Sequence, residues 1–107
     1  MEVITNNNIQ CTIALAGLYD VYDPEIGLNV VDLGLIYQID FDEDNKRIEA
    51  GMTLTTQFCP MGESITAAVT QSLASAFRDY QVHVNLTFDP PWNSDRISPE
   101  GQEFLNQ

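Results

Sequence analysis

Hydrophobic and polar residues alternate with period two in two neighbouring segments, which is the pattern of strands with one buried face. Within residues 33–41 the apolar positions of this alternation are Leu33, Leu35, Tyr37, Ile39 and Phe41. The second segment repeats the alternation at Ile48, Ala50, Met52 and Leu54. Because residues 42–47 between them are polar, the two segments are predicted to form a hairpin.

Two longer segments have the apolar spacing of helices. The first is predicted to begin at Asn7 or Asn8, both good capping residues, and to run to about residue 21. Asp23-Pro24 ends it, because proline disfavours helical geometry at the residue before it. Its apolar surface is expected to comprise Ile9, Ile13, Leu15, Leu18, Tyr19 and Tyr22. The second helix follows residues 56–59, with apolar positions Ile65, Val69, Leu73, Ala76 and Phe77.

A third strand is predicted over residues 82–88, with an inward face of Val82, Val84, Leu86 and Phe88. Ser98-Pro99 then has the cap-then-proline order that opens a short helix. The order helix, strand, strand, helix, strand, short helix predicts an α+β fold, a three-stranded sheet covered by helices. Residues 1–107 are expected to form one domain, with a right-handed crossover between the last two strands. The strand order stays open.

Charge narrows the classes of partner. Sixteen acidic residues against four basic ones give a formal net charge of -12, which repels nucleic acid and anionic lipid. No apolar stretch approaches the roughly 20 residues that span a bilayer, and no signal peptide is visible, so we expect neither a nucleic-acid partner nor a membrane. A cytoplasmic protein is expected, in which the two cysteines stay reduced.

Cys59 is the strongest candidate for chemistry. Pro60 follows it, and proline is favoured at the first helical position, so Cys59 is predicted to cap the second helix. A helix N-terminus favours the thiolate, the form that binds metal or attacks an electrophile. Against this, many free cysteines are only small buried hydrophobes, and an acidic neighbour would raise the pKa of the thiol.

Asp23 and Glu25 can be interpreted in three ways: as a general acid/base pair, as metal ligands, or as a helix stop followed by a turn. Thr55 and Thr56 either place hydroxyls beside the Cys59 thiol or are simply residues of good strand propensity. The residues alone do not choose between these alternatives.

Three further residues have mainly structural interpretations. Cys11 is interpreted as core filler on the first helix, and His83, the single histidine, as a surface residue. Trp92 either plugs one end of the core or is an exposed anchor for a partner.

Three segments together resemble a known family: VYDPEIGLNVVDLGLIY (21–37), MTLTTQFCPMGESI (52–65) and VNLTFDPPWNSDRISPEG (84–101). The family was once called domain of unknown function fifty-nine and includes SufT proteins, the PaaD subunit of phenylacetate degradation and eukaryotic cytosolic iron-sulfur targeting factors. The resemblance covers nearly the whole chain, in order. It implies an iron-sulfur cluster assembly domain and a role in maturing iron-sulfur proteins.

Through this resemblance the family's acidic motif falls on Asp23, Pro24 and Glu25, its threonine pair on Thr55 and Thr56, and its reactive cysteine on Cys59. Ile26 follows where the family has an aliphatic residue, and is expected to line the same pocket. Cys59 is therefore the expected ligand of iron or of a transient iron-sulfur cluster, with none held tightly by one chain. Assembly proteins and client apoproteins are the expected partners, and a homodimer is one arrangement.

Two other functions compete with an assembly or targeting factor. One is a small thiol enzyme with Cys59 as nucleophile and Asp23 or Glu25 handling protons, although no histidine is placed as a base. The other is an interaction adaptor that binds partners through Trp92 and its acidic face. The resemblance favours the assembly factor over an enzyme.

Overall fold

The chain combines three helices with a mixed sheet built around an antiparallel hairpin in its described residues, which confirms the α+β prediction. The computed structural model describes residues 3–55, 62–89 and 91–106. The described elements are β1 (Ile4–Thr5), α1 (Asn8–Leu18), β2 (Ile36–Asp42), β3 (Arg47–Met52), α2 (Gly62–Ala76), β4 (Gln81–Leu86), a 3-10 turn (Ser94–Arg96) and α3 (Pro99–Leu105). Among them, no helix has the length and apolar content needed to cross a membrane.

The sheet has four strands in the order β1-β2-β3-β4, so the predicted count of three is wrong. β1 pairs parallel with β2, β2 antiparallel with β3, and β3 parallel with β4. The missed strand, β1, consists of Ile4 and Thr5, whose partners are Gln38 and Ile39. Two residues are too few to show a period, and only their pairing with β2 makes them a strand.

β2 begins at Ile36, later than predicted, because residues 30–34 form turns instead of a strand. Gly34 has a φ of +74°, a left-handed conformation that interrupts an extended chain. A register shift then lies between Ile36 and Gln38. As a result Ile36 is buried, whereas Tyr37, predicted to face inward, is only half-buried.

The predicted hairpin and the inner face of β3 are confirmed. Residues 43–46 form the turn, and the four apolar positions of the second segment are all buried: Ile48, Ala50, Met52 and Leu54. The Asn7 side chain caps α1 by accepting a hydrogen bond from the Gln10 N–H at 3.1 Å. On α1 the predicted burial of Leu18 and Cys11 is confirmed, whereas Ile9, Ile13 and Tyr19, predicted as apolar surface, are exposed and Ala14 enters the core.

The parallel pairing of β3 with β4 confirms that α2 forms a crossover between them, while the handedness of the crossover stays a prediction. α2 buries the expected stripe of Ile65, Val69 and Leu73. β4 ends at Leu86, whose side chain was predicted to face inward but is 44% exposed. The reason is its position at the end of an edge strand, where fewer neighbours cover it.

Candidate functional site

One end of the sheet adjoins both the loop that contains Asp23 and Glu25 and the chain that leads to Thr55. Ile36 at the start of β2 lies opposite Met52 at the end of β3, and Met52 lies opposite Leu86 at the end of β4. The loop preceding β2 and the chain leaving β3 therefore meet at this end.

Backbone hydrogen bonds connect the acidic loop, residues 21–30 with Asp23 and Glu25, to the end of β3. The N–H of Val30 donates to the Val21 carbonyl at 2.9 Å, and the N–H of Leu35 donates to the Val30 carbonyl at 3.1 Å. The N–H of Thr53 in turn donates to the Leu35 carbonyl at 2.9 Å. This series of bonds fixes the loop containing Asp23 relative to the strand that leads towards Cys59.

Asp23 organises the acidic loop from a buried position, with 2% of its surface exposed. Its Oδ1 accepts a hydrogen bond from the Glu25 N–H at 2.9 Å. Its carbonyl accepts from the N–H groups of Ile26 and Gly27 at 3.3 and 2.7 Å, and its own N–H donates to the Leu28 carbonyl at 3.0 Å. Asp23 therefore closes a turn, whatever further role its carboxylate has.

The other predicted site residues lie in contrasting surroundings. Glu25 is exposed, and Ile26 is half-buried against the core. Thr55 is half-buried, whereas Thr53, which the sequence did not single out, is completely buried. Thr56 and Cys59 lie outside the described residues, so their meeting with Asp23 and Glu25 in one pocket stays a prediction.

The described residues on either side of segment 56–61 lie beside a groove. A Cβ on Gly62 would come within 2.7 Å of Leu54 Cδ1, so α2 begins against the end of β3. Leu54, Gly62, Leu86 and Phe88 line this groove, together with Glu63 and other side chains of α2, and its volume is ≈ 520 Å³. Leu54 and Gly62, which lie near the two ends of segment 56–61, thus both line this groove.

The C-terminal segment contacts the turn that leads into β2. Trp92 is half-buried against the core, and its Nε1 donates to the Leu33 carbonyl at 2.6 Å. This contact favours the core plug over the exposed anchor. Arg96 Nε donates to the Gly34 carbonyl at 3.0 Å, and its guanidinium lies 4.0 Å from the centre of the Tyr37 ring.

Side-chain hydrogen bonds hold the same part of the chain in place, and they join Asn29, Asp32 and Ser98. The sequence did not indicate these contacts. Asn29 Nδ2 donates to Asp32 Oδ2 at 2.6 Å, and its Oδ1 accepts from the Asp32 N–H at 2.8 Å. Ser98 Oγ donates to Asp32 Oδ1 at 2.8 Å. The only local signal was Ser98-Pro99, which predicts a helix cap and does not indicate a distant partner.

Cys11 and His83 have the predicted surroundings. Cys11 is buried in the core, and burial raises the pKa of its thiol above the ordinary value of 9.0. His83 is exposed on β4. Within the described ranges, no group of three or more His, Cys, Asp or Glu side chains is placed to hold a metal ion.

Cys59 is expected to react faster than Cys11 with a thiol-alkylating reagent in the native protein. Cys11 is 5% exposed, and its raised pKa keeps the thiol protonated at neutral pH. Burial of the neutral thiol stabilises the fold below pH 9.0, and this contribution is lost as the pH rises through the folded-state pKa. Peptide mass spectrometry after timed labelling measures both rates, and unfolding in urea should make them similar. Equal native rates would contradict the prediction.

Asp23→Ala is expected to lower the free energy of unfolding by about 1 kcal/mol, because the Glu25 N–H loses the acceptor that the buried Asp23 side chain provides. Asp23→Asn keeps an acceptor oxygen at the same position and should cost less. Chemical denaturation of the two variants measures the difference. An Asn variant as unstable as the Ala variant would show that the turn depends on the charge instead.

Comparison with known proteins agrees with this architecture. The sequence profile of the iron-sulfur cluster assembly protein family matches residues 14–86. The solved structure of a domain of unknown function, DUF59, from Bacillus anthracis superposes with a TM-score of 0.83 at 31% identity. The superposition covers 94% of this chain and 98% of that chain.

Two bacterial relatives match most of the chain. The Fe-S protein maturation auxiliary factor YitW of Bacillus subtilis (strain 168) is 37% identical over 98 residues, 92% of this chain and 90% of that protein. The Fe-S protein maturation auxiliary factor SufT of Staphylococcus aureus (strain USA300) is 38% identical over 78 residues, 73% of this chain and 88% of that protein. These matches confirm the resemblance found in the three sequence segments: the chain belongs to the iron-sulfur cluster assembly protein family.

Proposed function

We propose that this protein helps to mature iron-sulfur proteins in the cytosol, with Cys59 as the residue that contacts iron, a cluster or a client cysteine. The similarity to YitW carries the proposal, because it extends over 92% of this chain and that relative is a maturation auxiliary factor. The cluster is cargo in this function, held transiently and passed on. Assembly proteins and client apoproteins are the partners.

The end of the sheet suits a site of this kind. The acidic loop is bonded to the end of β3 through Val30, Leu35 and Thr53, so the loop that contains Asp23 forms a support beside the chain that leads to Thr55. In our proposal, Cys59 approaches this support, and Thr55 and Thr56 offer hydroxyl groups to its thiolate. Glu25, which is exposed, is available to exchange protons or to meet a partner.

A second protein is needed to complete the ligand set. Iron-sulfur clusters commonly take about four cysteine-type ligands, whereas this chain has two cysteines and one of them is buried in the core. Two copies related by a two-fold axis would supply two Cys59 thiolates, and glutathione or a client would supply the others. Such incomplete protein ligation favours transfer over storage.

Anaerobic reconstitution with iron, sulfide and glutathione, followed by absorption spectroscopy, tests the proposal. The wild-type protein and Cys11→Ala should develop a cluster absorption band, and Cys59→Ser should not. Native mass spectrometry of the same samples should detect a second copy or added thiols with the cluster. A band of equal strength in Cys59→Ser would contradict the role of Cys59, and no band in any sample would favour the adaptor.

A further inference from the structure

Among the described strands, β4 lies at an edge of the sheet with its outer side unpaired, and this side is called the open edge. In the described part of the chain β3 alone pairs with β4. The N–H of Gln81 donates to the Lys46 carbonyl at 2.8 Å, and the N–H of Thr87 donates to the Met52 carbonyl at 2.9 Å. Since backbone groups alternate sides along a strand, the N–H and carbonyl groups of Val82, Val84 and Leu86 point away from β3.

The opposite edge of the sheet is protected, whereas this one is not. β1 has only two residues, and beyond it the Asn6 side chain bonds both the N–H and the carbonyl of Phe41, each at 2.9 Å. The Asn6 side-chain amide therefore occupies the N–H and carbonyl of Phe41, which another strand would otherwise bond. β4 contains no proline, lysine or other charged residue that protects natural edge strands.

A groove adjoins the open edge on the helix side of the sheet. Leu86 is 44% exposed, although its neighbour Met52 in β3 is completely buried. The groove of ≈ 520 Å³ between α2 and the end of β4 is lined by Leu54, Gly62, Glu63, Thr66, Ala67, Thr70, Leu86 and Phe88. Alternate side chains of an added strand would point to this side, where an apolar one would cover Leu86.

Charge decides between the candidate occupants. A second copy would bring another net charge of -12 to this edge, so a basic segment is favoured over a second copy as the added strand. A basic segment is attracted instead, and the exposed Glu63 lies at the groove to receive a cationic side chain. β4 itself contains no lysine or arginine that would repel it.

We infer that the open edge of β4 binds an extended, basic segment of a partner protein as an added strand, with an apolar side chain in the groove between α2 and β4. Main-chain hydrogen bonds to Val82, Val84 and Leu86 supply affinity, and the groove and Glu63 select the side chains. The contacts that define this interface come from β4 and α2, and its test measures peptide binding, so a failure of this inference is distinguishable from a failure of the proposed function.

A short synthetic peptide in which lysine alternates with leucine or valine is the probe, used with the wild-type protein. Binding should slow the amide hydrogen exchange of Val82, Val84 and Leu86 by about tenfold or more, because their donors become bonded. Methylating the backbone nitrogens along one edge of the peptide should weaken binding by at least about tenfold, and along the other edge much less. Equal affinity of both methylated peptides and the parent peptide would overturn strand addition.

Protein variants test the same contacts. Val84→Pro removes an outward-pointing donor without breaking the bonds to β3, and Val84→Ala is the control for the lost side chain. Peptide affinity should fall by about tenfold in the proline variant relative to the alanine variant. Should Val84→Pro fail to fold, the methylated peptides still decide the question on the wild-type protein.

Glu63→Gln should weaken peptide binding a few-fold, and Glu100→Gln, which also removes a first-turn acid but on α3, should not. Replacement of the peptide lysines by glutamate should abolish binding. Equal binding of the glutamate peptide would overturn the preference for a basic partner. A dimer of the protein alone, with protected β4 amides, would instead identify the occupant as a second copy.

Discussion

Gly34→Ala is expected to lower the free energy of unfolding by about 3 kcal/mol or more, as the sum of two effects. The first is the left-handed backbone, with a φ of +74°, which costs an L-residue about 1–2 kcal/mol. The second is steric, because the new Cβ would lie 2.3 Å from the Arg96 carbonyl oxygen and 2.7 Å from the Arg96 Cβ. Backbone cannot move aside as a flexible side chain would, so the C-terminal segment must separate from the loop.

Gly27→Ala is the matched control. Gly27 has a φ of +81°, but a Cβ there would meet nothing within 4 Å. Only the conformational cost applies, so we expect a loss of about 1–2 kcal/mol. Thermal unfolding followed by circular dichroism compares the two variants, and at about 4–8 °C per kcal/mol the difference is easily measured. Equal destabilisation would contradict the steric contribution of Arg96.

Cys59→Ser is expected to reduce the activation of an iron-sulfur client by about 100-fold or more. Removing a residue that merely orients a metal ligand costs about 10- to 100-fold, and removing the ligand itself should cost at least as much. The measurement combines the reconstituted protein with an apo-client whose enzymatic activity depends on its cluster. The initial rate at which client activity returns gives the rate of transfer.

Two variants make this experiment specific. Cys11→Ala also leaves a single cysteine, but it removes the buried thiol, so its transfer rate should stay close to that of the wild type. Asp23→Asn keeps the turn acceptor and changes only the charge, so it measures whether the carboxylate assists Cys59. Normal transfer by Cys59→Ser, with the fold intact, would remove Cys59 from the function.

The candidate site was only partly predictable from the sequence. Asp23-Pro24 correctly indicated a turn, since a turn depends on residues a few positions apart, but α1 ends at Leu18 and not at the predicted residue 21. The burial of Asp23 was not foreseen, nor were the contacts that hold its loop in place. Trp92 reaches Leu33 across a separation of 59 residues, and Ser98 reaches Asp32 across 66, so no local pattern contains them.

The elements of the fold that the sequence predicted correctly depend on contacts between residues close in sequence. The elements that needed correction depend on contacts between distant residues. Hydrophobic period and turn residues predicted the β2-β3 hairpin, the buried face of β3 and the apolar stripe of α2. Both signals act between residues close in sequence, so the sequence alone determines them. β1 became visible only in the structure, because two residues form a strand only when a partner supplies their hydrogen bonds. The late start of β2 depends on Gly34 packing against Arg96. The exposure of Leu86 depends on β4 being an edge, and a strand's place in the sheet is decided by how the whole chain packs.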